Sequence, residues 1–143
     1  MLRLPPRMEE VLVLASRKRE VEIARELGVT RQAVSKSLRE ARARLTQIFI
    51  EVAGVLNSDI VRINVEKGFA VLRNRQTGTK IYLIYVPGEG PRVLMPSPDP
   101  CKEASYCAKI IEAAYRWGII KREGEPAENP SEIIKSLVEK MEE

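Results

Sequence analysis

The sequence predicts an α+β protein with a helical front and a small sheet behind it. Apolar residues recur at helical spacing from Met8 to Val55, and neither proline nor glycine interrupts between Arg31 and Ala53. From Ile60 to Met95 the pattern changes to short β-branched and aromatic runs separated by turn residues. Beyond Pro100 helical spacing returns twice. These observations divide the chain into a helical unit over 1–56, a small α+β unit over 57–120, and a polar linker with a C-terminal helix over 121–143.

Met1 to Pro6 is a short basic arm; such arms can touch DNA, but a frayed terminus is the favoured expectation. Met8, Val11, Leu12 and Ala15 then make a supporting helix from Arg7 to about Ala15. In the next segment Ile23, Ala24 and Leu27 share a helix face, Gly28 stands at a sharp turn, and Val29, Val34 and Leu38 complete an apolar wedge. Ala24 is small enough for a second helix to cross closely above it, and Gly28 can take the positive φ that ends the first. Thr30 is placed to cap the second helix with its hydroxyl.

That second helix does not stop where a minimal motif would. Val34, Leu38, Ala41, Leu45, Ile48, Val52 and Val55 follow the alternating four-and-three spacing of a heptad seam. The portion from Ala41 to Val55 is free for another partner, either the same helix of a second subunit or the protein's own second unit; the dimer is favoured because paired heads double the contacted site. Phe49, Ile50 and Leu56 widen the apolar surface and call for further cover, such as the sheet.

Asn57-Ser58-Asp59 breaks the helix. Three or four strands are expected, over Ile60–Val65, with Arg62 and Asn64 outward, then Phe69–Arg73, Lys80–Val86 and Arg92–Met95, forming an antiparallel meander. A sheet this small needs a helix over one face. Lys102 to Trp117 supplies it, closed by Gly118, with Ala104, Ala108, Ile111 and Tyr115 at helical spacing and Cys107 and Ala114 beside them on the face expected to cover the sheet. Asn129-Pro-Ser-Glu132 opens a last helix whose apolar side is Ile133, Ile134, Leu137, Val138 and Met141. It packs on the body or on a partner subunit, or else frays.

The outward positions after Thr30 are Arg31, Gln32, Ser35, Lys36 and Arg39, donors and acceptors suited to base edges and phosphates. From Met8 to Ala43 the chain resembles the helix-turn-helix superfamily, most closely sigma-factor region 4 and archaeal Tfx-like transcriptional regulators. Ala24, Gly28, Val34 and the flanking aliphatics carry the resemblance; Ser16-Arg17-Lys18-Arg19 departs from it, since many relatives have a glycine-containing turn there. The resemblance implies double-stranded DNA as partner and transcriptional regulation as role. Arg31, Gln32, Ser35 and Lys36 become candidates for base edges, Arg39 and Arg42 for phosphates, and Arg17, Lys18 and Arg19 for further phosphate contacts, with Thr30 among the DNA-contacting residues.

Charge agrees with this assignment. Residues 1–50 hold 11 basic and 6 acidic side chains, a net of +5, whereas residues 51–143 hold 13 and 14, a net of −1. A cationic half of this kind supplies salt-sensitive, sequence-blind affinity for polyanions. No apolar run approaches bilayer-spanning length and the N-terminus has no signal-peptide core, so no membrane partner and a cytoplasmic location are expected. High charge, few amides and no histidine resemble the bias of proteins from hot environments.

The absence of histidine removes Ser-His and Cys-His nucleophile pairs and imidazole metal sites, and the chain is expected not to be an enzyme. Asp59, Glu66 and Glu89 flank the sheet but lack the clustered pattern of a metal-dependent nuclease, so no metal or other cofactor is expected. Cys101 and Cys107 admit three readings: buried small apolar residues, an intramolecular disulfide, or a redox or shared metal site. The disulfide requires Cys101 to lie before the helix, because six helical residues separate Cα atoms by about 9 Å. Arg73, Asn74, Arg75 and Lys80 beside Phe69, Tyr82 and Tyr85 admit single-strand or RNA stacking as a minor possibility. The DNA-binding expectation competes with a DNA-organising protein without sequence choice and with a metal-dependent nucleic-acid enzyme. A ligand-responsive regulator is a variant of it, with an effector that the sequence does not identify.

Overall fold

A computed structural model describes residues 2–98, 100–121 and 129–143. The order is α1 (Pro6–Ala15), α2 (Glu20–Leu27), α3 (Arg31–Val55), β1 (Ser58–Asn64), β2 (Phe69–Asn74), β3 (Lys80–Val86), β4 (Gly90–Leu94), α4 (Ala104–Arg116) and α5 (Pro130–Glu142). The strands form one antiparallel meander in the order β1-β2-β3-β4. Polar segment 121–128 falls outside the described residues except for Lys121.

The α+β class follows from local chemistry at each boundary. Proline begins α1 and α5, where its missing N–H costs no helical bond. Gly28 ends α2 at φ 67°, and its N–H reaches the Ala24 carbonyl. The Thr30 hydroxyl accepts the Ala33 N–H at 3.0 Å to cap α3. At the far end of α3, Asn57 takes φ 49° and turns the chain into β1.

Both faces of the sheet are covered. Cross-strand partners share a face, so Arg62, Val71, Tyr82 and Leu94 lie on one side, whereas Ile63, Ala70, Leu83 and Val93 lie on the other. The first side meets α4 and α5, and the second belongs to the side of Tyr85, whose hydroxyl engages the N-terminal arm and α1. The result is a layered body of α1–α3, sheet, and α4–α5. The buried side chains from Leu4 to Met141 belong to one hydrophobic cluster.

Several expectations need correction. The arm is docked: Leu4 is buried, its N–H donates to the Tyr85 hydroxyl at 2.8 Å, and that hydroxyl donates to Glu9 at 2.6 Å. The seam is covered within the chain, since Val34, Leu38, Ala41, Leu45, Ile48 and Val52 are buried under α1, α2 and the sheet, whereas Val55 is 85% exposed. Val29 also lies outside the wedge, exposed within the α2–α3 turn. On β1, Arg62 and Asn64 are half-buried while Val61 and Ile63 are exposed. A register irregularity between Ile60 and Arg62 and the second helical layer explain this. The Arg62 guanidinium lies over Phe69, 6.0 Å from the ring centroid, and donates to the Met141 carbonyl at 3.2 Å.

The covering face of α4 keeps Cys107 and Ala114 of the expected one but is turned away from Ala104 and Ala108. Cys107, Ile110, Ala113, Ala114 and Trp117 are buried, while Ala104 and Ala108 are exposed. Trp117 fixes this rotation, because its indole N–H donates to the Tyr85 carbonyl at 2.7 Å. The Tyr85 N–H donates to the Gly68 carbonyl at 2.8 Å, just before the start of β2, so both backbone groups of Tyr85 have partners. Gly68 has φ +68°, and a β-carbon there would overlap the Trp117 ring. On α5 the Asn129 side chain accepts the Glu132 N–H at 3.1 Å, and Ile134, Leu137 and Met141 are buried against the body. Glu142 accepts from Lys80 and from the Tyr82 hydroxyl, each at 2.8 Å, which fastens the helix end to β3.

Gly68→Ala should destabilise the fold by roughly 2–4 kcal/mol, through overpacking and a disfavoured φ together. Chemical denaturation monitored by Trp117 fluorescence measures this. The Lys80 bond foremost, and the Tyr82 bond with it, hold the Glu142 carboxyl below its ordinary range against the opposing effect of burial. Burial and the same contact push the Tyr82 hydroxyl up to about 12, so it stays a donor through the neutral range. A depressed carboxyl stabilises above its unfolded value, and that contribution disappears as pH falls through the folded value. Thermal midpoints from about pH 7 to pH 3 should therefore fall less steeply in Glu142→Gln than in the parent, with an effect below about 1 kcal/mol for so exposed a pair.

Candidate nucleic-acid interface

The exposed beginning of α3 holds a concave surface of about 340 Å³ lined by Arg31, Gln32, Ser35, Lys36 and Arg39. Helical spacing produces it, since residues three and four apart stand above one another on one face. The Thr30 cap fixes where that face begins, and the buried Val34 and Leu38 fix which way it turns. Arg31, Gln32, Lys36 and Arg39 are exposed, and no carboxylate lies within ion-pair distance of their cationic groups among the described residues. No acidic residue occupies the first turn of α3, so its N-terminal partial positive charge adds to these side chains.

Ser35 differs from its neighbours. It is half-buried and its hydroxyl donates to the Glu20 carboxylate at the start of α2. The bond ties α2 to α3 and makes Ser35 a residue that positions the surface. Thr30 is similarly committed to its cap. Arg42 continues the line of Arg31, Ser35 and Arg39 along α3, half-buried, and its Nε is buried without a hydrogen-bond acceptor among the described residues. An unsatisfied guanidinium nitrogen favours an anion close by.

The three cations before α2 are divided. Lys18 pairs with Glu26 at 2.5 Å and Arg19 with Glu22 at 3.0 Å, both partners on α2. Arg17 instead lines a separate crevice with Lys67 and Arg116. None of the three lines the surface formed by the start of α3. The sequence did not single out Glu20 or Lys67; Lys67 donates to the Ser16 carbonyl at 3.0 Å, a contact between residues far apart in the chain.

The remaining candidate chemistries are spread apart. Asp59 pairs with Arg75 at 2.9 Å near the start of β1, and Glu89 accepts from Lys109 at 2.8 Å in the β3–β4 turn. Lys109 and Arg92 hold the Glu89 carboxyl below its ordinary range. Glu66 stands in the β1–β2 turn, and no cluster of three or more potential ligands suited to a metal occurs among the described residues. Phe69, Tyr82 and Tyr85 are buried, so they do not form an exposed stacking platform. Among the described residues no helix is long and apolar enough to cross a membrane.

Cys101 and Cys107 form a disulfide, with Cα atoms 5.6 Å apart. The geometric requirement is met because Cys101 precedes α4, which begins at Ala104. The bridge pins the Pro-rich connector to the buried side of the helix. Reductant should free two thiols, detectable by mass after alkylation, and lower the stability by about 2 kcal/mol on the closed-loop entropy argument. Unchanged thermal melting after complete reduction would show that α4 packing holds this end alone. No family model, curated protein or solved structure matches the chain.

Proposed function

We propose that the protein binds double-stranded DNA in a sequence-selective manner through the start of α3, as a transcriptional regulator without enzymatic activity. One observation carries the reading: Arg31, Gln32, Lys36 and Arg39 stand exposed on one face of a capped, packed helix, without salt-bridge partners among the described residues. A helix fits the major groove, and Arg and Gln side chains present paired donors or a donor and acceptor to purine edges. Arg39 and Arg42 lie farther along the same helix and serve the phosphates. Ser35 and Glu20 hold α2 against α3, and the resemblance to helix-turn-helix regulators supports the same docking.

Two-fold pairing remains part of the proposal on a changed basis. The buried seam is occupied inside the chain, so pairing falls to exposed apolar side chains such as Ile50, Val55 and Val61. A DNA-organising protein without sequence choice is the competing reading.

In-vitro selection of bound duplexes from a random pool, followed by affinity measurements against salt, separates the two. The proposal expects an enriched motif, and an inverted repeat with half-sites about one helical turn apart for a pair of heads. Arg31→Ala and Gln32→Ala should lose discrimination at particular base pairs by about 1–3 kcal/mol, whereas Arg42→Ala should weaken all duplexes alike. A pool with no enriched motif and steeply salt-dependent binding would establish the competing reading.

A further inference from the structure

A second cationic crevice of about 580 Å³ lies where the β1–β2 turn meets the end of α4. Its cations come from separate parts of the fold: Arg17 between α1 and α2, Lys67 between β1 and β2, Arg116 in the last turn of α4, and Lys121 beyond it. Glu112 is the one carboxylate of the described lining. None of the four cations has an ion-pair partner among the described residues. Bringing them together costs repulsion that a bound anion would offset.

The position of Lys67 is built by its surroundings. Its turn is held under Trp117 at Gly68, where a β-carbon would overlap the indole. A β-carbon on Gly118 would lie 3.3 Å from the Lys67 ammonium, and Gly118 has φ +72°. The ammonium has three donors. One goes to the Ser16 carbonyl, and the others have no acceptor among the described residues. Tyr115 and Ile120 add an aromatic and an aliphatic wall. The volume falls within the range of small-molecule sites.

We propose that this crevice binds a small organic phosphate, with its phosphoryl group among Lys67, Arg116 and Lys121 and its uncharged part against Tyr115 and Ile120. Through the Lys67–Ser16 contact the ligand would act on the turn that sets α2. That regulatory consequence rests on the DNA-binding reading; ligand binding does not.

Calorimetric titration of the full chain with inorganic pyrophosphate, without DNA and near physiological salt, tests the site. Saturable binding is expected, weakened at least about tenfold by Arg116→Gln combined with Lys121→Gln and unchanged by Arg31→Ala. Both substituted side chains are exposed, and an unchanged thermal midpoint verifies that the fold is kept. Absence of saturation, or equal weakening by Arg31→Ala, would overturn the proposal in favour of general attraction to basic surface. Loss of duplex affinity in the double variant, with no pyrophosphate binding in the parent, would overturn it by assigning the crevice to DNA phosphates. Pyrophosphate binding without any duplex affinity would retain the site and reject the DNA-binding reading alone.

Discussion

Tyr85 connects the layers of this protein. Its side chain reaches the N-terminal arm and α1 through Leu4 and Glu9, its N–H holds the Gly68 carbonyl, and its carbonyl receives the Trp117 indole from the α4 side. Burial and the bond to Glu9 raise the hydroxyl above its ordinary value, so it remains protonated and can donate to the carboxylate. Because both backbone groups and the hydroxyl are buried, losing any of these partners would leave a desolvated polar group. The close approach of Trp117 to Gly68 and the docking of the arm are consequences of the same arrangement.

The sequence disclosed elements better than the faces they bury. The β3 limits and the caps at Thr30 and Asn129 were legible because β-branched runs and capping side chains act locally. The rotation of α4 was legible only in part: Cys107 and Ala114 were placed on the covering side, but the Ala104–Ala108–Ile111–Tyr115 stripe is as apolar as the Cys107–Ile110–Ala114–Trp117 stripe. Trp117 chooses the second through a bond to a residue distant in sequence. The docking of the arm was not foreseen for a similar reason, as its anchor is the hydroxyl of Tyr85. Arg62 shows the limit of alternation as a guide: a charged side chain on a covered face can lay its stem on Phe69 and send its head to the Met141 carbonyl.

At the proposed interface, the sequence identified the outward residues but not their commitments. Arg31, Gln32, Lys36 and Arg39 follow from helical spacing alone. Ser35 has the same spacing yet is bound to Glu20, because α2 crosses beside it. Arg17, Lys18 and Arg19 form a single basic run in sequence, but the turn separates them into two surface pairs with α2 carboxylates and one wall of the second crevice.

That partition bears on how selective a nucleic-acid reader would be. An architectural protein needs a broad, uninterrupted cationic face, for which paired carboxylates such as Glu20, Glu22 and Glu26 would be an expense. Here Glu22 and Glu26 neutralise neighbours at the edge, while Glu20 orients Ser35 and leaves Arg31, Gln32, Lys36 and Arg39 as discrete donors on a rigid helix. The helix has 25 residues, about 37 Å at the usual rise, and its C-terminal half contributes Phe49, Val52 and Ala53 to the body. One continuous helix therefore carries both the proposed reading end and the part that packs on the body. Such stiffness favours discrimination, because a misplaced donor cannot readily turn to a different base when its backbone is anchored at both ends.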